Sequence, residues 1–183
     1  MLRSGLATLA VALAFAGTAE ARGGNYVFEG GSPEAQAQVR AALEASRFNW
    51  SLVPQQITIR ITNCGCAGAK RGLIVLDEKV LLDPSLGPRY AWGLVQDEYA
   101  HQVDFFLLDD GKRKKLRRMI GGNDWCYEIS GLLHDDHGCE RFSAAVAWAY
   151  WRSADNVQAP RWAGGAKLSP ARFRKLLDRL VRT

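Results

Sequence analysis

A chain of 183 residues, 48% hydrophobic and 23% charged, has the balance of an ordinary globular protein and the length of one domain with a real core. Lys and Arg number 24 against 19 Asp and Glu, a formal charge of +5 that permits an acidic partner without requiring one. Beyond residue 21 no segment has the roughly 20 consecutive apolar residues that a bilayer span needs, which argues against a membrane-spanning protein.

The N-terminus, "MLRSGLATLAVALAFAGTAEA", carries an early positive charge at Arg3, an apolar run from Leu6 to Ala16, and small residues ending in Ala19-Glu20-Ala21. That order predicts a secretory signal peptide over residues 1–21, cleaved after Ala21. Residues 22–183 are then a single mature domain in a secreted or extracytoplasmic location. Cleavage removes one cation and one anion, Arg3 and Glu20, so the net charge does not change.

After a glycine-rich start, Ser32-Pro33 reads as an N-cap followed by Pro at the first helical position. Val39, Ala42 and Leu43 recur at helical spacing, so a first helix is expected over 33–46. "QITIRIT", Gln56 to Thr62, alternates apolar and polar residues and puts Ile57, Ile59 and Ile61 on one face of a half-buried strand. "GLIVLD" and "KVLLD", Gly72 to Asp77 and Lys79 to Asp83, read as two more strands, or as one strand and an extended piece. Gly87-Pro88 opens a central helix with Trp92, Val95, Tyr99, Val103, Phe106 and Leu107 as its apolar stripe, ending near Asp109-Asp110-Gly111. "KRKKLRRM" predicts a short basic helix stopped by Gly121-Gly122. Residues 123–138 read as loop with one turn of helix, Cys139 to Trp151 as an apolar helix, and Ser169-Pro170 as the start of a last amphipathic helix bearing Phe173, Leu176, Leu177 and Leu180. The order predicts an α+β fold: a small, mostly antiparallel sheet packed on the central helix, followed by further helices.

There are 4 cysteines: Cys64, Cys66, Cys126 and Cys139. In an oxidising compartment an even number points to disulfides, and three pairings are possible. Bonding Cys64 to Cys66 would close a small strained ring. Pairing each with one of Cys126 and Cys139 would staple the strand region to the segment after the central helix. A four-cysteine metal site is a poorer reading, because C-x-C with two distant lone cysteines lacks zinc-knuckle spacing.

"QDEYAHQVD", Gln96 to Asp104, holds the chemistry. Helical spacing places Asp97 and His101 side by side, one turn apart, with Glu98 next to them. Zinc accepts carboxylate oxygen as well as imidazole nitrogen, so Asp97 and His101 can both be ligands. Asp104 follows one turn later, where it can hold the second nitrogen of His101 or pair with a nearby Arg.

With "CERFSAAVAWAYW" after it, "VQDEYAHQVDFFLLD" resembles the minimal gluzincin-type metallopeptidase domains over roughly residues 55–150. Those have H-E-x-x-H on one helix and a third ligand, Glu, on a later one, in a motif like E-x-x-A. "RGLIVLD" is similar to their edge strand, which can line a substrate cleft. The resemblance implies Asp97, His101 and Glu140 as ligands of a zinc ion and Glu98 as the general base. It implies an exported peptidase that hydrolyses peptide bonds in a peptide or protein substrate with a metal-activated water. Asp97 departs from the family, standing where it has histidine. Two carboxylates and one imidazole neutralise a divalent ion and are less selective for zinc, so another divalent metal fits as well. They also predict a less acidic water and weaker hydrolysis.

Two other readings stay open: a catalytically inactive metallopeptidase-like binding or structural module, and a disulfide-stapled domain in which D-E-x-x-H is accidental. His134 and His137, in the loop "HDDH", offer a further ligand or, at His137, a donor to a tetrahedral oxyanion, or form a polar surface loop. The basic run Lys112 to Arg118 lacks interleaved aromatics and reads as a solvated helical face, so no nucleic-acid partner is expected.

Overall fold

A computed structural model describes residues 23–87, 89–160 and 168–182. The expected leader, and Pro88 at the expected start of the central helix, lie outside them. Ser32 caps the first helix, α1 (Pro33–Ala45), its hydroxyl accepting from the Ala35 amide at 3.3 Å. Before it runs a strand that the sequence pattern does not announce, β1 (Tyr26–Gly30). After it come β2 (Ile57–Thr62), β3 (Gly68–Lys70) and β4 (Leu73–Asp77), and the sheet order is β1-β2-β4-β3. Ile57, Ile59 and Ile61 alternate into the core as their period of two requires.

The architecture is α+β, as expected, but the sheet is not mostly antiparallel. β1 with β2 and β2 with β4 run parallel, and the β3–β4 hairpin alone is antiparallel. The reason is connectivity: α1 lies between β1 and β2, and a helical crossover returns the chain in the same direction. The segment likened to an edge strand is β4, an inner strand; β3 forms the edge. Lys79 to Asp83 is not a strand either. Asp77 accepts from the amides of Lys79 (2.9 Å) and Val80 (3.3 Å), and that cap turns the apolar run into the short helix α2 (Glu78–Leu82).

The central helix, α3 (Tyr90–Leu107), is the spine of the molecule. It packs against α1 on one side and most extensively against α5 (Gly138–Tyr150) on the other. Gln102 ties it to the sheet: its side chain donates to the Lys70 carbonyl at 2.9 Å and accepts from the Gly72 amide at 2.8 Å. The basic run lies on α4 (Asp110–Ile120), which buries Leu116 and Ile120 and leaves Lys114, Lys115, Arg117 and Arg118 at or near the surface, the solvated face expected. The last helix, α6 (Pro170–Val181), buries Phe173, Leu177 and Leu180. Among the described residues no helix is long and apolar enough to cross a membrane.

The cysteines pair as Cys64–Cys66 and Cys126–Cys139, with Cα separations of 5.1 and 5.3 Å. The staple between sheet and helices is therefore absent. Gly65 makes the short ring possible, since at φ +65° it takes a conformation that few other residues adopt, and Asp77 receives its amide at 2.5 Å.

Candidate metal and catalytic site

Three elements meet where α3 crosses the start of α5. From α3 come Asp97, Glu98 and His101, each 7% exposed, and from the first turn of α5 comes Glu140, 8% exposed. The third element is the connection from α4 to α5, which carries Tyr127 and a single 3-10 turn, His134–Asp136.

That connection is held in place by many short contacts. Gly122 and Gly138 approach so closely that a Cβ on Gly122 would stand 2.9 Å from the Gly138 backbone. The Cys139 amide donates to the Trp125 carbonyl at 2.6 Å and the Asn123 amide to the Asp136 carbonyl at 2.8 Å. Asp124 gathers the amides of Glu128 (2.7 Å) and Ile129 (2.9 Å) and the His137 imidazole (2.7 Å). Burial raises the Asp124 carboxyl, but these amides and the imidazole outweigh it and hold the group below its ordinary range. Arg141 of α5 ion-pairs with Asp136 at 3.5 Å and steadies the 3-10 turn. The Cys126–Cys139 bond has a site residue beside each sulfur-bearing residue: Tyr127 follows Cys126, and Glu140 follows Cys139.

At the centre is Glu140. One of its oxygens, Oε2, lies 3.3 Å from Nε2 of His101 and 3.0 Å from Nε2 of His134. Burial alone would raise the Glu140 carboxyl; the two imidazoles hold it well below the usual range instead. Burial disfavours the imidazolium of His101, yet Glu140, Asp97 and Glu98 hold it up to about 9. The Glu140 hydrogen bond likewise holds His134 up to about 9. Glu98 is pushed up to about 7 by burial and the neighbouring Asp97 charge. Asp97 is raised to about 6 by burial, with His101 and Ser143 opposing the rise. One Asp97 oxygen, Oδ1, is buried without a hydrogen-bond partner, an unusual cost for a folded protein unless something binds there.

Tyr127 is the one non-glycine residue with positive φ among those described, at 57°. An aromatic residue held there costs on the order of 1–3 kcal/mol, and such outliers cluster at functional sites. Its phenol hydrogen-bonds to Glu140; burial, then that carboxylate's charge, pushes it up to about 12, so it keeps its proton and donates.

Asp97, Glu98, His101 and Glu140 lie together at the α3–α5 crossing, and His134 and Tyr127 join them there. Two other residues stand outside the site. Asp104 does not seat His101: its oxygens take Arg113 Nε at 2.8 Å and Trp125 Nε1 at 3.0 Å, binding α4 and the connection to α3. His137 is not placed as a transition-state donor: it is 1% exposed, fixed by Asp124, and packed at a tilt against the Tyr127 ring at 4.0 Å between centroids.

Among the described residues, one group of His, Cys, Asp and Glu has all its donor atoms within 4.8 Å of one another: Cys126, Cys139 and Glu140. Its sulfurs are bonded to each other and offer no thiolate, so Glu140 is its only usable ligand. Asp97, His101 and Glu140 are not as tightly gathered, and a bound ion would draw them closer. Their chemistry still fits one, with imidazole and carboxylate donors and a buried, unpartnered oxygen. Compared with models of known families, with curated proteins and with solved structures, the chain gives no significant match in any of the three.

Proposed function

We propose that the protein is an exported, metal-dependent peptidase of the gluzincin-like kind, with Asp97, His101 and Glu140 holding a divalent ion, zinc in the first instance. The observation that carries this reading is the buried cluster itself. Three buried carboxylates and the buried His101 imidazole crowd at the α3–α5 crossing, the exposed His134 closes over them, and Asp97 Oδ1 has no partner. A stability-optimised core would not assemble so many ionisable groups. When bound, such an ion supplies Lewis acidity toward a peptide carbonyl and a water molecule.

The chain's own residues supply the rest. Glu98 is buried beside Asp97, and the crowding makes it a ready proton acceptor near neutral pH. It takes the proton of the attacking water and passes it to the leaving amine. Tyr127, protonated and hydrogen-bonded to Glu140, would turn its single O–H from that carboxylate to the oxyanion that develops on the carbonyl oxygen. The two disulfides fit an oxidising compartment and so support the export that the leader sequence implies.

The test is hydrolysis of casein or a peptide library by the zinc-loaded protein and by Glu98→Gln. The expected loss is about 10²–10⁴-fold in kcat with zinc affinity kept. Equal activity in both forms would remove Glu98 from the mechanism. A zinc-loaded wild type that cleaves no peptide would favour the inactive, binding-module reading.

A further inference from the structure

We infer that His134 is itself a ligand of the metal ion, supplying from the 3-10 turn the second imidazole that position 97 no longer provides. This rests on the metal-site reading above and changes its ligand set to Asp97, His101, His134 and Glu140.

The geometry carries the argument. Glu140 Oε2 stands 3.0 Å from His134 Nε2 and 3.3 Å from His101 Nε2, each pair near the spacing of two ligands on one tetrahedral zinc, while the two imidazole nitrogens stand more than 4.8 Å apart and an ion would draw them together around Glu140. Bonds of ~2.0–2.1 Å put such ligands about 3.3 Å apart. The His134 ring is also oriented as a ligand would be, since Nε2 faces the cluster while Nδ1 lies 3.6 Å from Asp135 Oδ1. A ligating histidine is usually backed by a hydrogen-bonded carboxylate, and Asp135 is near enough to close to that distance when His134 binds an ion. Independently, the unpartnered Asp97 Oδ1 sits in a side chain that is 7% exposed, and its carboxylate is close enough to feel the charges of His101, Glu140 and His134.

The turn is held at Asp136, by the Asn123–Asp136 backbone bond and by the Arg141–Asp136 ion pair. Two imidazoles and two carboxylates are a borderline donor set, which prefers zinc or cobalt(II) to calcium or magnesium. His134 is also the most accessible member of the set, its side chain 66% exposed against 8–9% for Glu140 and His101. It is therefore the ligand a substrate can displace.

X-ray absorption at the zinc edge of the full chain, both disulfides intact, counts the imidazoles without any mutation. Two are expected, and one would overturn the inference. In His134→Gln the count falls to one and zinc affinity, read by calorimetry, falls at least about tenfold. In Asp97→His with His134→Gln the count returns to two. Zinc lost on Glu140→Ala but unchanged on His134→Gln would overturn this inference and leave the metal reading standing. No zinc bound by the wild type would overturn both.

Discussion

Asp97 is the residue on which the account turns. It is buried, negatively charged near neutral pH, and one of its oxygens has no partner. In the metal-free protein that is a cost. Asp97→Asn is therefore expected to raise the thermal midpoint of the metal-free protein while weakening zinc binding about tenfold; a lowered midpoint would mean that the carboxylate serves the fold. Asp104 is the opposite case, a buried carboxylate whose partners are in place. Arg113→Ala strips it of its cation and is expected to cost about 3 kcal/mol in urea unfolding. A cost below about 0.5 kcal/mol would place that pair among the weak surface bridges instead. Sequence pattern identifies the α3 residues because spacing of one turn is legible along a helix. It leaves Asp104 open between His101 and a nearby Arg, and the pairing with Arg113 holds; the pattern could not choose, because partners 9 and 21 residues away leave no local mark. It misses Tyr127 because positive φ at a tyrosine is a tertiary effect with no compositional signal.

At the level of elements, the connection between α4 and α5 decides whether a site exists, since it brings Tyr127 and His134 to Glu140. The Cys126–Cys139 bond closes a loop across a sequence separation of 13 residues, worth about 3 kcal/mol by chain entropy. Cys64–Cys66, with a separation of 2, is worth about 1.6 kcal/mol by the same relation. The Cys126→Ser, Cys139→Ser form should lose the larger amount and also bind zinc more weakly; the Cys64→Ser, Cys66→Ser form should keep its zinc affinity. Equal zinc affinity in all three proteins would show that the disulfide does not position the site. Asp124 anchors the same connection through a carboxylate held below its ordinary range. A depressed carboxylate stabilises the fold above its unfolded pKa, and that contribution is lost as pH falls through the folded value. Stability should therefore drop below about pH 4, less steeply in Asp124→Asn; identical acid profiles would deny the anchor. The helices are readable because Ser32, Asp109 and Ser169 cap them and their apolar periods are long. The strands are not. β1 is only five residues, the last of them a glycine, and "KVLLD" is too short for its period to tell strand from a capped helical turn. Strand direction depends on recognising β1, without which the α1 crossover is invisible.

Across the whole molecule, one core joins α1, the sheet, α3, α5 and α6, and the ionisable cluster is set into it at the α3–α5 crossing. A ligand that binds only the folded state stabilises it by about 2.7 kcal/mol at a concentration 100 times its Kd. For a chain of 183 residues that corresponds to roughly 5–10 °C in the unfolding midpoint. The class of the fold and the residues of α3 are legible in the sequence; the convergence of Glu140, His134 and Tyr127 on them is not, because it depends on how a poorly patterned loop closes over a helix start. The most direct measurement is calorimetric titration of zinc into the oxidised full chain and into Glu140→Ala, with circular dichroism to confirm that both are folded. The account predicts one zinc per wild-type chain and none, or binding at least about a hundredfold weaker, in Glu140→Ala. A folded wild type that takes up no zinc, or a Glu140→Ala form that binds it equally well, would contradict it.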